Sequence, residues 1–333
     1  MGCRRVVLAT VAAALTLGMT GCSAASSGIS PSAAGQSSSE SGPSGVRSPT
    51  PTPTVTQLRL LATGATLAVL LRTAVGRVWG VTSDHTVVQV DASGDAKSTL
   101  PVPGVTDLAF SGSDMYVLTA DAVDHIDLGG KVLRRYPVDG RGIALAVSRK
   151  TLYVPVFGPP PHLLAIDMAT GTTRSITLKE TFDNSMGPNG VVVDGNGVVW
   201  TLDGRSLDEI SGSSMTLVHR YPTPIIGSTL AVAPAGIFIA SSQPGAGVAR
   251  LTPGGSAVSP CWTDGDALQL VPEGRIMWAS AAAGLSEFDS TTCKLLATAS
   301  APDGDNSGNG IAVLPGQVWL AYGSGHFQRF ATN

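Results

Sequence analysis

The stretch NGVVVDGNGVVWTLD, residues 189–203, returns near the end of the chain as NGIAVLPGQVWLAY, residues 309–322, with the tryptophans in the same phase. Aligning on that stretch brings out seven copies, each carrying an aromatic residue in its second apolar segment: Trp79, Tyr116, Tyr153, Trp200, Phe238, Trp278 and Trp319. Successive subtraction gives intervals of 37, 37, 47, 38, 40 and 41 residues. Such a period confines the chain to architectures in which each unit packs only on its neighbours.

Every copy keeps one internal order. An apolar strand comes first, as in TLAVLL from Thr66 or NGIAVL from Asn309, followed by the aromatic strand and by a third such as VVQVD or LLAID. In six copies a turn rich in Gly, Ser or Thr leads to a fourth strand. Short β-branched strands in fours predict an all-β fold, a seven-bladed β-propeller with four-stranded antiparallel blades. The seventh copy stops after its third strand, whereas VTQLRLL, from Val55, belongs to no complete blade. Residues Val55 to Leu61 are therefore expected to pair with the strand around Phe327 to Phe330, closing the ring and removing its open edges. The aromatic residue is the expected wedge between blades.

Ahead of the repeats, Arg4 and Arg5 precede an apolar run from Val6 to Leu17 that is short for a membrane span, then small residues up to Cys22. Met19-Thr20-Gly21-Cys22 resembles a bacterial lipobox, which implies a signal peptide over 1–21, acyl chains on Cys22 and a place on the outer face of the bacterial cell membrane. Residues 22–53 contain almost no large apolar side chains and read as a disordered Ser/Gly/Pro tether. The propeller then occupies 54–333. With 21 Lys and Arg against 24 Asp and Glu, the chain lacks the basic excess of a nucleic-acid binder. The expected partners are the membrane, through the acyl chains, and a protein or small-molecule ligand.

Of the four cysteines, Cys3 lies in the signal and Cys22 in the lipobox, leaving Cys261 and Cys293. An oxidising compartment favours their disulfide. Strand direction argues the other way, placing them toward opposite ends of neighbouring blades, although bridged Cα atoms must come within about 7 Å.

Blades written NG-apolar-D-x-x-G-apolar-W, as in NGVVVDGNGVVW, resemble those of the streptogramin lyase group of propellers and the related NHL-type repeats. The resemblance covers the region after the tether. It implies, as an alternative to binding, a metal-assisted carbon–oxygen lyase or lactonase that uses a histidine and acidic residues with Mg²⁺. The acidic residue that follows the blade tryptophan in that group is matched here by Asp203, while Thr82, Thr119, Val156, Ser241, Ala281 and Tyr322 hold the equivalent places.

In a propeller the fourth-to-first and second-to-third strand loops share one face. Two loops there repeat each other: DNSMGPNG with Asp183, Asn184 and Asn189, and DNSGNG with Asp305, Asn306 and Asn309. Their oxygen-rich side chains are candidate ligands for a polar molecule or, through Asp183 and Asp305, for Ca²⁺ or Mg²⁺. The alternative is that they satisfy their own turn backbones. His85, His162 and His326 occupy corresponding loops of blades one, three and seven and are candidate general bases or metal ligands. Asp203 and Arg205 form a further polar pair, with a surface turn as the alternative. No GxSxG elbow and no phosphate-binding loop occurs. The functional expectation is a membrane-anchored binding module, with the lyase or lactonase as runner-up.

Overall fold

A computed structural model of the chain describes residues 55–65, 68–91, 96–100, 102–179, 190–263, 265–281, 284–302 and 308–332. These belong to the compact unit Pro53–Asn333. They form seven antiparallel blades and contain no helix.

From the axis outward, blade one holds Ala68–Ala74, Arg77–Thr82, Val87–Val90 and Ala96–Leu100, and blade two Asp107–Ser111, Asp114–Leu118, Ala122–Ile126 and Val132–Pro137. Blade three holds Ala146–Ser148, Thr151–Phe157, His162–Asp167 and Thr173–Thr177; the two-residue strand Arg141–Gly142 also pairs with its second strand. Blade four holds Val191–Val193, Val198–Asp203, Ser206–Ser211 and Thr216–Pro222, and blade five Thr229–Ala233, Gly236–Ala240, Val248–Leu251 and Val258–Trp262. Blade six holds Gln269–Glu273, Ile276–Ala281, Gly284–Asp289 and Leu295–Ser300. Blade seven takes Gly308–Leu314, Gln317–Tyr322 and His326–Ala331 from the C-terminus and Leu60–Ala65 from the N-terminal side.

The closure differs in detail from the expectation. The closing strand is Leu60–Ala65, with Leu60 opposite Phe330 and Ala65 opposite His326. Residues Val55 to Gln57 do not pair there. Thr56 and Gln57 instead add to the outside of blade six, parallel to Ala297 and Thr298, and Leu58, whose N–H donates to Thr298 O, buries its side chain between blades six and seven. The N-terminal segment thus covers one sheet edge and completes another.

Core packing explains why the aromatic recurs. The buried apolar residues fall into seven clusters, one at each blade–blade interface including that of blade seven with blade one. Trp79, Tyr116, Tyr153, Trp200, Phe238, Trp278 and Trp319 each enter a different cluster, and all seven are buried. A flat sheet face leaves a widening gap toward the rim of a ring, and a large ring side chain fills it.

The outer strands of all blades but the third skip one residue in their pairing: Lys97, Leu133, Val218, Cys261, Leu296 and, on the closing strand, Leu61. Each bulge adds local twist and turns its side chain out of the regular alternation. At Cys261 this decides the cysteine question. Cys261 and Cys293 are joined, with Cα atoms 5.1 Å apart. The bulge re-aims Cys261 toward blade six, where Cys293 sits in the turn before the fourth strand at a φ of 58°. Strand direction, used alone, gives the wrong geometry here.

Candidate functional site

The inner strands surround an axial cavity of about 390 Å³. Asp107 ties three blades together at its wall, accepting from Arg72 of blade one at 2.9 Å, from its neighbour Leu108 N at 2.8 Å and from Leu145 N of blade three at 3.0 Å. Opposite, Gln269 of blade six accepts from Ile311 N of blade seven at 2.9 Å. Both side chains are buried, and their polar atoms are spent on backbone and on a cation.

Of the sequence-derived candidates, Asp183, Asn184, Asn189, Asp305 and Asn306 lie outside the described residues, as does Cys22; Asn309 belongs to the inner strand of blade seven. The histidines make local contacts. His85 Nδ1 lies 3.1 Å from Val105 O, His162 Nε2 3.0 Å from Asp139 Oδ1, and His326 Nδ1 3.1 Å from Ser324 Oγ. Among the described residues no three His, Cys, Asp or Glu side chains stand close enough to hold a metal ion.

Asp203 is buried, not part of a surface turn, while Arg205 beside it is exposed. With Asp208, Asp203 clasps Arg220: Arg220 Nη2 donates to Asp203 Oδ2 at 3.0 Å and to Asp208 Oδ2 at 2.6 Å. The bond to Asp208 holds the guanidinium pKa above its usual value. Blade two repeats this motif with Arg135 between Asp124 and Asp121. A clasp that appears in two blades is part of how blades are built.

The blades also hold one another through a second recurring device. The guanidinium of Arg134, from blade two, donates to Met168 O at 2.8 Å and Ala169 O at 2.6 Å in blade three. Arg174 of blade three reaches Gly212 O and Ser213 O of blade four. Arg250 of blade five reaches Ser290 O and Thr291 O of blade six, at 2.5 and 2.8 Å. In each case the acceptors are the first two carbonyls after the next blade's third strand. Two of these arginines also lie over an aromatic ring of their own blade, Arg134 at 4.9 Å from Tyr136 and Arg250 at 5.9 Å from Phe238.

Between blades four and five, whose residues are all described, no such latch is made. Register puts His219 where Arg134 and Arg174 stand, in line with Glu209 and Trp200 across the blade. A cleft of about 590 Å³ opens in its place. Trp200, Glu209 and Tyr221 form one wall; the turn Asp194–Asn196 and the strip from Leu251 to Gly255 complete it. Gly236 shapes the floor, since a Cβ there would lie 2.0 Å from Leu251 O. Tyr221 donates its hydroxyl to Glu209 Oε2 at 2.9 Å, and burial together with that bond pushes its pKa up. Trp200 Nε1 donates to Asp194 Oδ2 at 3.2 Å. Two carboxylates and two aromatic rings thus meet in a concave, partly apolar site of ligand size.

Comparison with known proteins bears on the fold. The chain is similar to the β-propeller domain of Cps50 (Swd1) from Myceliophteria thermophila, with 14% identity, a TM-score of 0.67, and coverage of 83% of this chain and 100% of that one. It is also similar to the computationally designed protein Ika8, with 14% identity, a TM-score of 0.63 and the same coverages. The chain is a β-propeller. No protein-family model and no curated protein matches the sequence.

The cleft leaves a trace in the sequence of two outer strands. The outer strand of blade two reads LRRYP at 133–137 and that of blade four VHRYP at 218–222. The clasp arginine, the tyrosine and the proline are kept; leucine gives way to valine at the bulge, and the latch position changes from arginine to histidine.

Proposed function

We propose that this propeller is a binding module for a protein or small ligand, held at the outer face of a bacterial membrane by acyl chains on Cys22 and spaced from it by residues 23–53. The observation that carries the binding reading is the open cleft between blades four and five. Among the described residues three other interfaces of the ring are latched, and this one presents carboxylates and aromatic rings in the space a latch would fill. Strands of blades four and five supply both walls, which favours binding without a large ordering cost.

The binding reading is tested by placing a benzophenone side chain at Asn196, on the rim of the cleft, in the intact bacterium. A discrete crosslinked product, absent when the same group replaces exposed Val75 on blade one, is expected. Identical labelling at both positions, or none at Asn196, defeats the reading. For the anchor, Cys22→Ser is expected to abolish incorporation of labelled palmitate and to release the protein from the membrane fraction.

The lyase or lactonase alternative draws its support from the NGVVVDGNGVVW blade pattern alone. A bound divalent ion whose chelation lowers Tm, together with turnover of a lactone or ester, would advance it over the binding reading.

A further inference from the structure

We infer that the cleft between blades four and five receives the guanidinium of an arginine on a partner polypeptide, a latch supplied in trans where the chain's own sequence omits it. The inference rests on the binding-module reading and names its ligand chemistry.

The three latches among the described residues define what the position accepts. Each brings a guanidinium from one blade to the first two carbonyls after the third strand of the next. At the cleft the corresponding carbonyls belong to Thr252 and Pro253, which line it. No side chain of blade four donates to them among the hydrogen bonds of the described residues. Blade four retains the aromatic part of the arrangement. Tyr221 stands at the place of Tyr136, with the Trp200 ring 6.1 Å and the His219 ring 4.2 Å away.

One difference makes the site better for an incoming cation than a mere vacancy would be. Tyr136 gives its hydroxyl to Met168 O of the next blade, whereas Tyr221 gives its hydroxyl to Glu209 of its own. Glu209 holds the position that His125 holds in blade two and Ala165 in blade three. A carboxylate therefore faces the cleft where those latched blades have a histidine and a methyl group. Planar donors that satisfy a carboxylate and two carbonyls at once, over a ring, describe arginine better than lysine.

The other side of the Asp194–Gly197 turn has the opposite sign. A cleft of about 570 Å³ between blades three and four is lined by Arg149, Lys150 and Arg174. A segment carrying an acidic residue close to its arginine would thus meet a complementary charge on each side of one turn.

The test uses the full-length chain carrying Cys22→Ser and a capped Gly-Arg-Gly peptide, with the citrulline peptide as its neutral isostere. The readout is the indole N–H resonance of Trp200, assigned by its loss in Trp200→Phe. A saturable shift with the arginine peptide and none with citrulline is expected, weakened about tenfold by Glu209→Gln. His219→Arg restores the residue of blade two and is expected to abolish the response while raising Tm, which also shows that this variant is folded. Equal responses to arginine and citrulline, no saturable shift, or titrations unchanged in both variants would overturn the inference. A crosslink at Asn196 with no arginine response leaves the binding module standing and removes only the guanidinium; loss of the crosslink removes the reading beneath it.

Discussion

Blades two and four share an Asp–Arg clasp and nearly the same outer strand, yet they meet the following blade in opposite ways. Blade two sends Arg134 and the Tyr136 hydroxyl across to the carbonyls of blade three. Blade four, with His219 in place of that arginine, turns Tyr221 back onto its own Glu209 and leaves a cleft. Apolar packing continues through both interfaces. Cohesion in this ring therefore has two layers. Deep aromatic wedges hold every blade to its neighbour, and a polar fringe at the rim can be removed at one interface without opening the core.

The covalent fringe between blades five and six is expected to matter most. Replacing Cys261 and Cys293 together by alanine is expected to cost about 2–4 kcal/mol, because the bridge joins blades five and six across a separation of 32 residues. Denaturant melts with and without reductant measure it, and reductant should have no further effect on the double variant. Next in size, Arg134→Ala removes charge-assisted bonds to two carbonyls and a ring contact, for an expected loss of roughly 1–3 kcal/mol. His219→Ala, at the same place in blade four, is expected to change stability by less than about 0.5 kcal/mol. Equal losses at the two positions would erase the distinction between latched and open interfaces.

Below the Arg134 loss in size, His219→Arg is expected to add roughly 0.5–1 kcal/mol by reaching Thr252 and Pro253 from within the chain. The smallest effect falls on blade six, where Glu287 occupies the place of Glu209 beside the blade tryptophan. Burial, with Glu273 nearby, raises the Glu287 carboxyl above its usual range. A folded pKa above the unfolded one means that the ionised form costs stability at neutral pH, and that this cost fades as pH falls through the raised value. Glu287→Gln should therefore raise Tm at pH 7 and give no gain near pH 4, as thermal melts at the two pH values would show.

Sequence periodicity carried the fold far because the interfaces repeat. One aromatic per copy and strict alternation are enough to count blades and to see that the seventh lacks a strand. Two features were hidden for a common reason. The bulge at Cys261 and the parallel addition of Thr56–Gln57 to blade six depend on register, and a slip of one residue leaves composition and period unchanged. The clasp on Asp203 was hidden differently, since Arg220 stands 17 residues away. The latches were harder again: Arg134 and Arg250 contact residues 34 to 41 positions on, a distance set by the ring. Residues of the DNS loops were readable as polar turns, and their spacing alone names no ligand.

The route by which the N-terminal segment enters the ring has a mechanical side. Any pull on the chain ahead of Val55 is delivered first to Thr56 and Gln57, lying along the rim of blade six, and then to Leu58, buried between blades six and seven. Only behind that anchor comes Leu60–Ala65, the strand that closes the circle. The short parallel pair and the buried leucine act as strain relief, as a clamp does on a cable, so that tension is spent at the rim before it reaches the joint on which the whole ring depends.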